Sequence, residues 1–302
     1  MGFEVAGKFV VISGGSQGLG QSLAKVLVAR GADVVIVSRT ESKLQHTVQE
    51  LKDLQVRENQ IINYVSADVS KSEESERVFR EIEKVPDIVI CCAGGATPGL
   101  FVEMDGKVLD KHMNIVYNTA LHFSHAALKV MTKADVSRKR HLIFCSSVLA
   151  LFPFIGYGSY APGKAAIRAL ADILRQECIP YNIQVANILP GNMKTEGFEE
   201  EERTKPEITR KIEGPSDARD PDEVAEKIVK DLQKGRQMIY TDFIGWVLSG
   251  LMLGVSPRNW GFFQTIIAII LSIFSPVWHW LIRRDIKQYF SKRNNMERSS
   301  QQ

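Results

Sequence analysis

Ser13-Gly14-Gly15-Ser16-Gln17-Gly18-Leu19-Gly20 stands between an apolar run, Phe9–Ser13, and a helix-length amphipathic segment. Glycines at 14, 18 and 20 in that position let the backbone approach a pyrophosphate at a helix N-terminus, where orphan N–H groups favour an anion. From this turn the pattern spreads outward as strand then helix, repeated. Runs rich in Val and Ile recur at residues 34–37, 61–65, 88–91, 141–145 and 183–188, with a weaker one at 237–240. Uninterrupted apolar strands alternating with helices predict an α/β fold, a doubly wound parallel sheet with helices on both faces.

The ends of those strands carry the next signals. The second ends Val37-Ser38-Arg39, with no acid where an NAD site places one for the ribose 2′-hydroxyl. Arg39 suits a 2′-phosphate, which favours NADPH as cofactor. Asp68-Val69 ends the third strand, where a side-chain oxygen meets an adenine or caps the next helix. Cys92-Ala93-Gly94-Gly95 closes the fourth with residues small enough for a nucleotide to pass closely, or for a plain turn.

Further on, Tyr160-Ala161-Pro162-Gly163-Lys164 places a phenol and an ammonium one helical turn apart on one face. A tyrosine pKa of about 10 is too high for easy proton exchange at neutral pH, and a fixed cation beside it is expected to lower it. Ser146-Ser147 lies upstream at the end of an apolar strand. His122 and His125 share a helix face without a carboxylate partner, so they read as non-ligands, and no metal-type spacing appears.

The formal net charge of +3 is unevenly placed. Residues 282–302 hold six basic and two acidic side chains, net +4, which leaves −1 for the rest. A near-neutral body does not provide the basic surface that a nucleic-acid groove needs. All four cysteines sit in apolar runs, as expected of reduced, mostly buried thiols. The N-terminus runs straight into the first strand, so no cleavable signal is expected, and Ala6 breaks the myristoylation pattern.

Taken together, Gly14-(x3)-Gly18-x-Gly20, Asn114, Ser147, Tyr160-(x3)-Lys164 and Pro190-Gly191-(x3)-Thr195 resemble the short-chain dehydrogenase/reductase family over about residues 5–242. The resemblance implies a Rossmann-type catalytic domain at 1–242. Tyr160 would be the proton donor to a ketone oxygen, and Lys164 would lower its pKa and hold the nicotinamide ribose. Ser147 would donate to the same oxygen, and Asn114 would hold a water that links Lys164 to solvent. Pro190, Gly191, Met193 and Thr195 would seat the nicotinamide. The cofactor surface would extend over Ser16, Gln17, Leu19, Ser38, Lys43, Ala93 and Gly94. Gly163 departs from the serine that many members carry there, and Pro162 falls in the first helical turn, where a missing N–H is tolerable.

Stretches outside that shared core are similar to the fungal 3-ketodihydrosphingosine reductases. They are Gly156–Pro162, Thr204–Thr209, Glu213–Ala218 and Thr241–Trp246, together with the glycine turn and Cys91–Ala96. This implies a long-chain 2-amino-1-hydroxy-3-ketone as substrate, reduced in sphingoid-base synthesis, and the family habit of dimers or tetramers. A membrane-tethered reductase of retinoids or steroids is the alternative, and a nucleotide-binding scaffold without chemistry is a third reading. Intact Ser147, Tyr160 and Lys164 weigh against the last. The acidic run Glu199-Glu200-Glu201-Glu202 reads as a solvated helix start rather than an ammonium site.

Residues 243–302 form a separate C-terminal, membrane-associated segment. Residues 260–282 carry no formal charge over the length of a membrane-spanning helix, and all four tryptophans (Trp246, Trp260, Trp278, Trp280) lie in this part. The basic tail and the NADPH site both call for the cytosolic side, so a hairpin bent at Pro257 or Pro276 is expected. The resemblance implies the endoplasmic reticulum membrane, with the catalytic domain facing the cytosol.

Overall fold

The computed structural model describes residues 2–215, 217–251 and 261–300. Its strands are β1 (Phe9–Ser13), β2 (Asp33–Ser38), β3 (Ile62–Ser66), β4 (Ile88–Cys91), β5 (Arg140–Cys145), β6 (Ile183–Leu189) and β7 (Met238–Tyr240). They form one seven-stranded sheet in the order β3-β2-β1-β4-β5-β6-β7, every pairing parallel. The seven apolar runs of the sequence thus become the seven strands.

Strand alternation sorts the core into two layers. Val10, Ile12, Ile36 and Ile90 face one side. There they meet α1 (Gly18–Ala29), α2 (Glu41–Asp53) and, later in the chain, a helix through Ile228. Phe9, Val11, Val89 and Phe144 face the other side with Phe79, Phe123 and Ile167. Those three belong to α3 (Ser72–Ile82), to α5 (Thr119–Met131), which follows the short α4 (Gly106–Met113), and to α6 (Ala161–Glu177). With apolar helices on both faces, the inner strands have no solvated side to alternate toward, which is why their runs read as continuous; the edge strand β3 leaves Asn63 exposed.

Chain order reverses between β1 and β4, and that switch point is where an open parallel sheet leaves a crevice at its carboxyl edge. Gly14 sits there with φ +72°, and a Cβ on it would lie 2.6 Å from the Ala93 nitrogen. Only glycine allows the two strand ends to approach so closely. The remaining helices are α7 (Glu196–Thr204), α8 (Glu207–Glu213), α9 (Pro221–Gln233), which carries Ile228, α10 (Phe243–Leu248) and α11 (Phe262–Ser300). All but α9 gather over the same edge of the sheet, around the crevice.

Pro276 lies inside α11, which continues through it as one helix. The chain therefore does not reverse at Pro276, contrary to the hairpin expected there. One missing N–H and one displaced carbonyl are tolerated within 39 residues of helix. Pro257 and Trp260 fall outside the described residues. The helix returns along the body: Asp285 pairs with Lys211 at 3.4 Å and Arg293 with Glu103 at 2.7 Å. Its start packs as closely, because a Cβ on Gly250 would lie 2.9 Å from Ile267. Among the described residues, one helix, at Phe262–Arg293, is long and apolar enough to cross a membrane.

Candidate active site

A single cavity of about 1290 Å³ opens above the carboxyl edge of the sheet. Of the candidate catalytic and cofactor residues read from the sequence, all but Lys43 and Asn114 line it. At one end the glycine turn and the ends of β2, β3 and β4 supply Gly14, Ser16 to Gly20, Ser38, Arg39, Asp68, Val69, Ala93 and Gly94. Arg39 is exposed at the rim with no ion-pair partner among the described residues, and the hydroxyl of Ser38 is buried with no hydrogen-bond partner among them. Asp68 accepts from the Ser70 hydroxyl at 2.7 Å in the turn before α3, whose N-cap is Lys71, so it lines the wall and does not cap the helix. Lys43 instead stands outside the wall, held by Gln17 at 2.9 Å and Glu196 at 2.5 Å.

In the middle of the cavity the ends of β5 and β6 and the start of α6 converge. Ser147, 6 % exposed, ends β5 in extended conformation. Tyr160 caps α6, and Lys164 follows one turn later. The Ser146 hydroxyl donates to the Lys164 carbonyl at 2.7 Å and fixes α6 to the strand end. Gly163 explains its own departure from serine: a Cβ there would lie 2.8 Å from Val116 Cγ1, so glycine lets α6 press against the chain at 114–118. Pro190 and Gly191 follow β6, with the Gly191 N–H donating to the Thr241 hydroxyl at 3.0 Å. Thr195 caps α7 by accepting from the Phe198 N–H at 3.2 Å.

Two expectations need correction. Lys164 is not among the main influences on the Tyr160 pKa, which lies above its ordinary value. Burial, followed by the negative charge of Glu201, pushes the phenol well above its ordinary range, and hydrogen bonding with Ser147 opposes them. The ammonium of Lys164 lies 5.6 Å from the Tyr160 ring centroid, and donates to the Cys145 carbonyl at 2.8 Å. Burial in turn lowers the pKa of Lys164, against the pull of Cys145 and Cys92. Asn114 is the second correction. It is exposed, accepts from the Asn118 amide at 2.6 Å and stands outside the cavity wall. The chain winds as a π turn over Asn114–Asn118, and this wider turn brings Ile115 and Thr119 to the cavity instead.

Beyond Tyr160 the cavity becomes aromatic. Tyr157, Phe154, Phe152 and Trp278 continue from it with successive ring centroids 6.3, 5.2, 6.4 and 6.1 Å apart. Trp278 belongs to α11, which also contributes Leu271 and Phe274 to the wall, while Phe243 and Ile244 come from α10.

Residues 8–206 match the short chain dehydrogenase family. The chain is a short-chain dehydrogenase.

Named relatives refine the comparison. The 3-ketodihydrosphingosine reductase of Yarrowia lipolytica is 47 % identical, aligned over 95 % of this chain and 79 % of its own length. That of Debaryomyces hansenii is 39 % identical over 96 % and 92 %. That of Saccharomyces cerevisiae is 36 % identical over 98 % and 100 %. Among solved structures, a short-chain type dehydrogenase/reductase from Mycobacterium ulcerans superposes with a TM-score of 0.66 at 21 % identity, covering 79 % of this chain and 89 % of that one. At that identity it attests the fold.

The dehydrogenase holds a group of residues that sequence reasoning passed over. Glu199 and Glu200 are exposed, as a solvated helix start requires, but Glu201 and Glu202 turn inward. Glu201 lines the cavity and accepts from the Tyr157 hydroxyl at 2.5 Å. Lys205, whose side chain is 1 % exposed, lies 3.4 Å from Glu201 and 2.6 Å from Glu213, and also pairs with Glu202. The available signal was indirect. Tyr157, Lys205, Glu213 and Phe243 all come from the stretches outside the shared catalytic core, and folding brings those stretches to one end of one cavity.

Proposed function

We propose that this dehydrogenase uses NADPH to reduce 3-ketodihydrosphingosine to dihydrosphingosine, with residues 1–242 as the catalytic domain and 243–302 as a membrane-associated segment. The carrying observation is the continuity of one cavity: nucleotide-sized and glycine-lined at one end, aromatic and α11-walled at the other, with Ser147 and Tyr160 between. The names of relatives aligned over nearly the whole chain support the substrate.

The residues present fit NADPH. The unpartnered Ser38 hydroxyl and the Arg39 guanidinium offer donors where a 2′-phosphate would sit, and no carboxylate stands there to repel it. Gly14 to Gly20 would take the pyrophosphate, Lys164 the nicotinamide ribose, and Pro190, Gly191, Met193 and Thr195 the nicotinamide. When bound, NADPH supplies the hydride. The protein's own part is protonic. A phenol pushed above its ordinary range stays protonated at neutral pH, the form needed to give a proton to the ketone oxygen. Ser147 donates to the same oxygen as charge develops on it, from a hydroxyl already oriented by accepting from the Leu149 N–H at 3.2 Å. Asn114, exposed, is left without a part in this scheme.

For the membrane, the apolar face of α11 carries the argument. Ile269, Ile273, Phe274 and Trp280 are each more than half exposed. Asp285 and Arg293 tie the basic end of the same helix to the catalytic body, so body and basic tail lie on one side. This supports a helix lying in the membrane surface, on the cytosolic face of the endoplasmic reticulum, rather than crossing it. The dimers or tetramers of the family extend the proposal, and light scattering on the detergent-solubilised chain measures them.

The test is NADPH consumption by the full-length protein in detergent with 3-ketodihydrosphingosine, beside Tyr160→Phe. The variant should lose about 10³-fold in turnover while binding NADPH as before. Turnover that survives the substitution removes Tyr160 as proton donor; wild-type inactivity toward this ketone removes the reaction.

A further inference from the structure

We propose that Glu201 recognises the 2-ammonium group of the substrate and so selects amino ketones over plain lipid ketones. This deepens the reaction proposed above and rests on it. In an α-amino ketone the nitrogen is two bonds from the carbonyl carbon, on the order of 3 Å from the carbonyl oxygen. An ammonium therefore has to be accommodated beside whichever groups hold that oxygen, here Ser147 and Tyr160.

Glu201 stands on that side. It lines the same cavity and is bound to Tyr157, whose ring centroid lies 6.3 Å from that of Tyr160; after burial, its negative charge is the next influence that raises the Tyr160 pKa. The carboxylate is oriented, not loose: Tyr157 donates to Oε1 at 2.5 Å, and Lys205 approaches the same oxygen at 3.4 Å. Its other oxygen, Oε2, has no partner among the described residues. The neighbouring acids are already occupied. Glu213 accepts from Asn192 at 2.7 Å on one oxygen and from Lys205 at 2.6 Å on the other. Glu202 is held by Lys205 and by Arg210 at 2.5 Å. Asp242 caps the Gly245 N–H at 2.6 Å with one oxygen and takes the Thr241 hydroxyl at 3.3 Å with the other. Asp217 is exposed at the rim.

Charge counting points the same way. Three carboxylates, Glu201, Glu202 and Glu213, share two cations, Lys205 and Arg210. One negative charge remains, and of the six carboxylate oxygens Oε2 of Glu201 is the one without a partner among the described residues. A half-buried, underpaired carboxylate costs stability, and burial already pushes the Glu201 carboxyl above its usual range. A ligand cation at Oε2 relieves that cost.

The experiment compares kcat/KM for the long-chain 2-amino-1-hydroxy-3-ketone with that for the same chain lacking the amino group, in wild type and Glu201→Gln. Gln keeps an acceptor for Tyr157 and removes only the charge. Expected is a fall of about 30-fold on the amino ketone, at least tenfold greater than on the des-amino ketone, so that the preference collapses. Equal losses on both ketones, or a preference that survives, would overturn the assignment. Should Glu201→Gln fail to bind NADPH, and so prove misfolded, wild type decides. Dodecylamine in non-ionic micelles should then inhibit at least tenfold more tightly than dodecanol, and equal inhibition sinks the idea. Turnover of neither ketone by wild type would instead fail the reaction itself, whereas turnover of both with an unmoved preference fails Glu201 alone.

Discussion

The two ends of the cavity are built from opposite materials. At the nucleotide end the wall is backbone and short side chains at the tips of four adjacent strands, held by ladder hydrogen bonds and by close approaches that only glycine permits, as at Gly14. At the lipid end the wall is large side chains on separate helices and loops, from Phe152 to Trp278, in contact through ring edges rather than hydrogen bonds. The first surface recognises a fixed, polar object by geometry. The second accepts a flexible chain by area, which tolerates variation in length. One enzyme needs both because its two ligands differ in this way.

Substitutions at the two ends should therefore separate cleanly, and the largest effect belongs to the nucleotide end. Gly14→Val forces a branched side chain into a left-handed backbone position against Ala93, and NADPH affinity by fluorescence titration should fall on the order of 100-fold. Activity would fall for every ketone alike. Arg39→Asp should weaken NADPH about 30-fold and spare NADH; equal losses would remove the 2′-phosphate contact.

At the lipid end, Trp278→Ala removes the outermost ring and should raise KM about tenfold for a long-chain ketone, with NADPH affinity unchanged. A matching loss with a short-chain ketone would break the division of labour. The smallest effect joins the ends. Because the Tyr160 pKa is raised, its phenol keeps its proton up to and beyond the ordinary tyrosine value of about 10, so reduction should show no alkaline loss from this group below that pH. Glu201 contributes to the rise, so Glu201→Gln should move the alkaline limb of kcat downward. A limb that moves upward contradicts the placement of that charge.

The same contrast explains what could be read in the sequence. The sheet was legible because each strand is a local apolar run, and the place of Gly14, Arg39, Ser147 and Tyr160 in the cavity wall was legible because strand ends and helix starts lie next to them in the chain. Lys43 and Asn114 stand outside the cavity wall for local reasons. Lys43 is taken up by Gln17 and Glu196, and a π turn, with no signature in residue type, rotates Asn114 outward. The lipid end was not legible because residues 152, 201, 213, 243 and 278 meet only in three dimensions. Four glutamates in a row carry no mark of which two turn inward. The buried Lys205, one helical turn beyond Glu201, decides it.

Helix α11 places Trp278 in the cavity wall while exposing Ile269 and Ile273 on its outer side. Under the proposed membrane setting, anchor and entrance are then one rigid rod, and substrate arrives by lateral diffusion within the lipid. Turnover would accordingly follow the mole fraction of ketone in the surface rather than its bulk concentration. Adding inert lipid at constant total substrate would slow the enzyme by surface dilution alone.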